Sequence, residues 1–277
     1  MSWVRRELNA LSIPPLKRFG QHFLIDKKTR QIMIESARLE ADDTVVEVGP
    51  GLGFITTTLT SQPCSIIAIE KDRTLADYLK NRFARNSNIT IVQGDALEFP
   101  IRDQAKIISS PPYNISSKLI LSILNSKFKL AVLLLQDEFV SRLTAPVGSR
   151  DYGRLTVALQ LRANVERIMG VPRSAFYPSP KVDSAIVRIE PKASDLRIKD
   201  QKIFNELVRS LFTQRRRKLR GVLKRYLKET YPTDMNEILI RTSFLEKRIF
   251  EIAPLELVVL SNIISEVRVD VCQKRLE

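Results

Sequence analysis

The sequence predicts an α/β protein: a parallel sheet with helices on both faces, followed by a smaller helical domain. Three observations carry that expectation. Short apolar runs alternate with amphipathic stretches through the first two-thirds of the chain, a glycine-rich turn follows the first clear strand, and strand patterning fades around Pro191-Lys192-Ala193-Ser194. Alternation of this kind points to parallel strands joined by helices that pack on the sheet.

In chain order, residues 27–39 form a helix in front of the first strand, with Asp26 as its N-cap. Residues 44–48 read as a buried strand, and 65–70, 89–92, 105–109 and 130–136 repeat the pattern. Between them, 54–60, 73–85, 116–124 and 138–143 have helical spacing, while 165–171 and 183–189 supply further strands that close the sheet. From Lys199 onward Ile203, Leu207 and Leu211, then Leu219, Val222 and Leu223, are spaced for helices. Residues 267–271 fit strand or helix. A boundary near 190–198 gives one domain of residues 1–193 and a helical one of 194–277.

At 277 residues, with 44% apolar and 27% charged residues, the chain can bury a sizeable core. The net charge of +14 favours a polyanionic partner, either nucleic acid or an anionic membrane surface. Insertion into a membrane is excluded by the longest clean apolar run, 130–135, which has only a strand's length. The N-terminus becomes charged before any apolar stretch develops, which argues against a signal peptide. Cys64 and Cys272 lie far apart without CxxC pairing, so a disulfide framework and a zinc site are both disfavoured and a reducing cytoplasm fits. One histidine, His22, argues against a histidine metal site or a Ser-His-Asp triad. No metal is expected.

Glu47-Val48-Gly49-Pro50-Gly51-Leu52-Gly53 follows the first strand and opens a helix. Glycines there permit a sharp turn and close approach to a ligand. A dinucleotide site prefers G-x-G-x-x-G with pyrophosphate on the helix N-terminus. The spacing here is G-x-G-x-G with an acid two residues ahead, which suits a cationic, phosphate-free ligand such as S-adenosylmethionine; a turn with no ligand is the plain alternative. Glu70 ends the second strand and can accept both ribose hydroxyls, or serve only as a helix-start charge. Asp95, in Gly94-Asp95-Ala96, can accept from an adenine amino group or simply close a turn. Three acids and a glycine loop at successive strand ends are more telling together, because that edge is where open α/β sheets bind ligands.

Ser110-Pro111-Pro112-Tyr113 follows the fourth strand at the same edge. An adenine N6 amino group is a poor nucleophile because its lone pair is delocalised into the ring. The Ser110 hydroxyl and the Pro111 carbonyl offer two acceptors for its protons, the prolines keep the turn rigid, and Tyr113 offers a face for an extruded base. A methyl sulfonium is already activated, so in-line positioning is the main task. The alternative is a Pro-Pro turn leading into a helix near Ser116.

Further motifs extend the pattern: Arg18-Phe19-Gly20-Gln21-His22-Phe23-Leu24, Gly94-Asp95-Ala96-Leu97, Pro112-Tyr113-Asn114-Ile115-Ser116, Phe176-Tyr177-Pro178-Ser179-Pro180-Lys181-Val182-Asp183-Ser184, and Leu211-Phe212 before Arg215-Arg216-Arg217-Lys218. On these, over residues 17–260, the chain resembles the rRNA adenine N6,N6-dimethyltransferase family. The resemblance implies a Rossmann-like class I S-adenosylmethionine methyltransferase core with a small helical C-terminal domain. It implies that Gln21, His22 and Leu24 border the cofactor, and that Gly49, Gly51, Glu70, Asp95, Ala96 and Ser110 contact it or the target. Phe176 is implied to pack on the target adenine opposite Tyr113. The partner implied is small-subunit rRNA in an assembling subunit, methylated by a cytoplasmic monomer. Ser110 and Pro111 depart from the family's usual Asn and Leu, and serine has the shorter reach. A large-subunit rRNA adenine methylase shares the core motifs, and a non-catalytic binding factor retains the fold without turnover.

Residues 209–228 hold nine basic side chains and no acid. Read as an uncompensated helical surface, they point to phosphate contact through Arg215, Arg216, Arg217, Lys218 and Arg220, against the plain alternative of a solvated face. Leu211, Leu219, Val222 and Leu223 are expected to hold that helix to the catalytic domain. Residues 145–152 read as a flexible substrate-facing loop. Residues 1–17 either touch RNA or cap the fold.

Overall fold

The computed structural model describes residues 2–11, 22–192, 197–230 and 235–273. The chain divides into two compact units, Met1–Val140 with Ala163–Pro191, and Ser141–Arg162 with Lys192–Glu277.

The first unit carries strands β1 (Phe23–Leu24), β2 (Thr44–Val48), β3 (Ser65–Glu70), β4 (Ile89–Gln93), β5 (Lys106–Ser109), β6 (Leu130–Gln136), β7 (Ala163–Val171), β8 (Phe176–Tyr177) and β9 (Ser184–Pro191). Seven form one sheet in the order β4-β3-β2-β5-β6-β9-β7. The first five run parallel, and β9 pairs antiparallel with both β6 and β7. Helices α1 (Ser2–Ala10), α2 (Lys27–Ser36), α3 (Phe54–Leu59), α4 (Arg73–Arg82) and α5 (Ser116–Leu124) belong to this unit, and α6 (Asp137–Leu143) follows β6.

Local chemistry accounts for the boundaries. Asp26 caps α2 by accepting from the Thr29 N–H at 2.7 Å, and Asp72 caps α4 by accepting from Leu75 at 3.0 Å. The strands are rich in β-branched residues, which suit a pleated buried surface. Val45, Ile66, Ile108, Val132 and Leu134 pack with Met33, Ile34, Ile55 and Leu59 in one cluster. Each large side chain removed from water there contributes about 1.5–3 kcal/mol. The N-terminal helix caps the fold: Val4 and Leu8 are buried in a cluster with Phe23, Leu52 and Leu75.

The second unit holds α7 (Arg154–Gln160), α8 (Gln201–Phe212), α9 (Leu219–Thr230), α10 (Met235–Arg241) and α11 (Pro254–Gln273). Residues 267–271, ambiguous in sequence, lie in α11. Leu211, Leu219, Val222 and Leu223 are fully buried, but their partners are Tyr152, Leu207, Leu257 and Leu260 of the same unit. They build the second unit's own core, and that unit takes in residues 141–162, which were expected to lie in the catalytic domain. The 145–152 segment is likewise pinned. Tyr152 donates to the Ile252 carbonyl at 2.9 Å, and the Gly148 N–H to Phe250 at 2.8 Å.

One polar group is committed to stability in the first unit. Asp43, just before β2, meets Lys106 of β5 at 2.6 Å with both side chains buried, and Lys129 at 2.9 Å. Burial pushes the Asp43 carboxyl up, but the hydrogen bonds from Lys106 and Lys129 outweigh it and hold it below its usual range. Removing one member of such a pair strands a buried charge. Lys106→Met should destabilise the protein by on the order of 3 kcal/mol, and Lys106→Met with Asp43→Asn by less. Urea denaturation of the two variants checks this, and an equal loss in both would contradict it.

Candidate active site

Register assembles the site. Val48, the last residue of β2, pairs with Ile69 of β3 on one side and Ser109 of β5 on the other, while Glu70 pairs with Gln93 of β4. Glu70, which ends β3, and Gly49, Gly94 and Ser110, which follow β2, β4 and β5, are thereby brought to one row at the carboxyl edge. The strand order reverses at β2, and such a switch point is where open α/β sheets hold ligands.

Two adjoining cavities lie along that edge and share Gly49, Glu70 and Pro112. One is lined by His22, Leu24, Gly49, Gly51, Glu70, Ser110, Pro111, Pro112, Tyr113 and Phe176. The other is lined by Gly49, Glu70, Asp95 and Ala96, joined by Lys71, Asp72 and Asn114. Ten of the residues singled out in the sequence thus meet in the first cavity, and Asp95 and Ala96 in the second. Gln21 lies outside the described residues.

The loop after β2 needs its glycines. Gly49, Gly51 and Gly53 have φ of 69°, 60° and 77°, in the left-handed region that side chains disfavour. A Cβ on Gly51 would also stand 3.0 Å from the Phe23 ring. Glu70 stabilises this loop: its carboxylate accepts from the Gly51 N–H at 3.0 Å and the Asp72 N–H at 2.9 Å. Burial raises its pKa, with the Asp72 and Gly51 hydrogen bonds opposing. Asp95 accepts from Lys71 at 2.7 Å and the Leu97 N–H at 3.0 Å, and the Lys71 hydrogen bond lowers its pKa. Lys71 has no counterpart in the sequence-based reading, although it directly follows Glu70.

Glu47 behaves differently from the other acids. It is fully buried, accepts from the Thr56 hydroxyl at 2.7 Å through one oxygen, and leaves the other without a partner. Burial pushes its pKa up to about 8.

The Ser110–Tyr113 turn keeps its acceptors free. No hydrogen bond among the described residues uses the Ser110 hydroxyl or the Pro111 carbonyl. The neighbouring Ser109 hydroxyl instead donates to the Val48 carbonyl at 2.6 Å, tying β5 to β2. Tyr113 begins a 3₁₀ turn that runs into α5, and its hydroxyl lies 2.8 Å from that of Ser184. Its ring stands 5.7 Å from His22, whose Nδ1 lies 2.8 Å from the Pro178 carbonyl. Pairing of β1 with β8 brings Leu24 opposite Phe176. Phe176 is only 2% exposed, so a base reaching it must enter the cavity.

The basic run is not one surface. Arg215–Lys218 lie in the turn between α8 and α9 rather than on a helix. Arg215 donates to the carbonyls of Arg150 at 2.6 Å and Ser149 at 3.0 Å, with its guanidinium over Phe250. Lys218 and Arg220 both pair with Glu246, at 2.9 and 2.8 Å, and their hydrogen bonds lower its pKa to about 2. Two of the nine charges are thus compensated by an acid distant in sequence, which corrects the reading of a run with no compensation. Arg216 and Arg217 are exposed, and their side chains make no ion pair or hydrogen bond among the described residues.

Comparison with known proteins follows this geometry. A family model described as ribosomal RNA adenine dimethylase matches residues 16–255. A probable ribosomal RNA small subunit methyltransferase A of Pyrococcus abyssi is 38% identical over 266 residues, 95% of this chain and 96% of its own. The protein of that name from Methanosarcina acetivorans is 36% identical over 252 residues, 90% and 94% of the two chains. A solved dimethyladenosine transferase from Plasmodium falciparum matches with a TM-score of 0.75 at 28% identity, over 86% of this chain and 96% of that one. The 23S rRNA methyltransferase ErmE matches with a TM-score of 0.65 at 27% identity, over 88% and 99%.

Glu47 makes stability depend on pH. Its folded value, about 8, stands above the ordinary 4.5, so its contribution is complete at low pH and is lost as pH rises between the two. The slope reaches roughly 1.4 kcal/mol per pH unit for one proton. Glu47→Gln keeps an oxygen for Thr56 and is neutral throughout, so unfolding free energies measured from pH 5 to 8.5 should decline less steeply than in the wild type. An unchanged slope would remove Glu47 from this role.

Proposed function

The chain belongs to the ribosomal RNA adenine dimethylase family, whose enzymes use S-adenosylmethionine, and on that premise we propose that it dimethylates the N6 amino groups of two adjacent adenosines near the 3′ end of small-subunit rRNA. It acts as a cytoplasmic monomer on assembling small subunits, in ribosome biogenesis. The observation that carries the reading is the adjacency of the free Ser110 and Pro111 acceptors to the Gly49–Glu70 seam in one cavity.

The residues fit the cofactor. Two cavities joined at Gly49, Glu70 and Pro112 suit a ligand with a nucleoside half and an amino-acid half. A Cβ at Gly51 would crowd the Phe23 ring, which lines the first cavity. When bound, S-adenosylmethionine supplies a methyl group already activated on sulfur. Glu70 retains lone pairs for ribose hydroxyls, and Asp95 for the adenine amino group. Gln21, His22, Leu24, Gly49, Gly51 and Ala96 complete this border.

Target activation falls to the tetrad. The Ser110 hydroxyl and Pro111 carbonyl accept the N6 protons and favour a pyramidal nitrogen with an available lone pair. Pro112 holds the turn, while Tyr113 and Phe176 receive the extruded base from its two faces. No general base is needed to start the transfer, because the attacking nitrogen is neutral: the N–C bond forms as the S–C bond breaks, and the methylated nitrogen then loses its proton to water.

The helical unit seats the rRNA. Arg216 and Arg217 are its free guanidinium groups in the cluster, with Lys218 and Arg220 as a rim shared with Glu246, and Arg215 holding the turn that presents them.

Incubated with tritiated S-adenosylmethionine, small subunits lacking the mark should accept label as N6,N6-dimethyladenosine and large subunits should not. Label confined to large subunits would favour the activity named for ErmE, and ring-nitrogen or ribose products would overturn the chemistry. Arg216→Ala and Arg217→Ala should each weaken RNA binding and lower the salt slope by about one counterion.

A further inference from the structure

We propose that Ser184 is a positioning residue for methyl transfer, its buried hydroxyl holding the Tyr113 phenol and so fixing the ring against which the target base stacks. The inference rests on the reading of Tyr113 as the base-stacking wall.

Ser184 is 1% exposed, and the Tyr113 hydroxyl lies 2.8 Å from its oxygen. A hydroxyl buried this fully would lose a hydrogen bond if left alone, and Tyr113 is the partner the structure supplies. The position is also unusually rigid. Ser184 opens β9 and pairs with Gln136 of β6 on one side and Val171 of β7 on the other. Tyr113, by contrast, belongs to a three-residue turn, where backbone pairing alone does not fix a ring. The hydrogen bond therefore refers a loop residue to the interior of the sheet, 71 positions away in sequence.

Among the described residues, the bond to Ser184 is the one side-chain hydrogen bond made by Tyr113. Its ring neighbour is His22, at 5.7 Å and tilted by 31°, which gives van der Waals contact without a directional bond. Asp183, next to Ser184, is already engaged through its carboxylate with the Arg173 N–H at 2.9 Å and through its carbonyl with the Asp137 N–H at 3.1 Å. Those bonds immobilise the loop end that carries Ser184, so the anchor is itself anchored. A ring free to rotate would still offer a stacking face, but the adenine amino group would be misplaced relative to Ser110, and placement is where this reaction gains its rate.

The experiment measures single-turnover methyl transfer to unmarked small subunits at saturating S-adenosylmethionine and subunit, with cofactor affinity measured separately by calorimetry. Ser184→Ala and Tyr113→Phe each delete the bond from one side. Each should slow the maximal rate by about three- to tenfold, the worth of one hydrogen bond, while leaving cofactor affinity and subunit affinity unchanged. The double variant should be no slower than either single one, since both remove the same interaction. Multiplicative losses, or a slow Tyr113→Phe beside a wild-type Ser184→Ala, would overturn the proposal. If Ser184→Ala fails to fold, Ser184→Cys nearly keeps the volume while weakening the bond, and it should give an intermediate rate; a wild-type rate would overturn the proposal. Tyr113→Ala is the control for the underlying reading: if it transfers methyl groups at the wild-type rate, the stacking assignment fails first and takes this inference with it.

Discussion

Strand β2 takes β3 as its parallel neighbour on one side and β5 on the other, and most of the site follows from that pairing. A strand at a reversal of strand order has its carboxyl end flanked by chain segments that leave in different directions, which opens a crevice. Here Gly49 turns out of β2 directly beside Glu70 of β3 and Ser110 after β5. These three residues are separated by 21 and 40 positions in sequence, yet the strand register alone sets them side by side. Hydrogen bonds then refine what the ladder establishes. Ser109 ties β5 to β2, and Glu70 ties the glycine loop to the end of β3. The Asp43–Lys106 pair secures the opposite ends of the same two strands.

The electrostatics of this edge exclude one class of ligand and suit another. Phosphate sites combine backbone N–H groups with cations at a helix N-terminus. At this edge Glu70 takes the Gly51 N–H for its own carboxylate, and a second carboxyl, Glu47, lies buried a few residues away. Both are pushed towards protonation by burial. A diphosphate brought here would find the Gly51 N–H already taken, whereas ribose hydroxyls find lone pairs on Glu70; Glu47 lines neither cavity. Lys71 lines only the second cavity, where its charge is balanced by Asp95.

Strand and helix positions in the first unit were legible because they rest on local periodicity. The segments 44–48, 65–70, 116–124 and 130–136 appear as expected to the residue. The placement of Gly49, Glu70, Asp95 and Ser110 was legible because each ends or closely follows a strand, and those strand ends fall on a common edge. What remained hidden depends on tertiary partners. The two-residue strands β1 and β8 have no periodicity to detect; they exist through each other. Ser184 closes the Phe176–Ser184 motif, but its contact with Tyr113 requires β9 to lie antiparallel between β6 and β7. Helix α7 was missed because its seven residues follow a Pro- and Gly-containing stretch that reads as loop.

The basic cluster illustrates a limit of counting charges. Five neighbouring cations look equivalent in one dimension, but the fold gives them unlike tasks. Arg215 can bind two carbonyls and lie over Phe250 because a guanidinium is planar and forked; a lysine has neither property. Its charge is spent on closing the turn between α8 and α9 against the 149–150 backbone. Glu246 then reduces the net field of Lys218 and Arg220, leaving them geometrically fixed but electrostatically muted. Arg216 and Arg217 keep their full charge because the turn set by Arg215 leaves both exposed. The cluster thus takes its free charge from two arginines, and its shape from the three cations that are already bound.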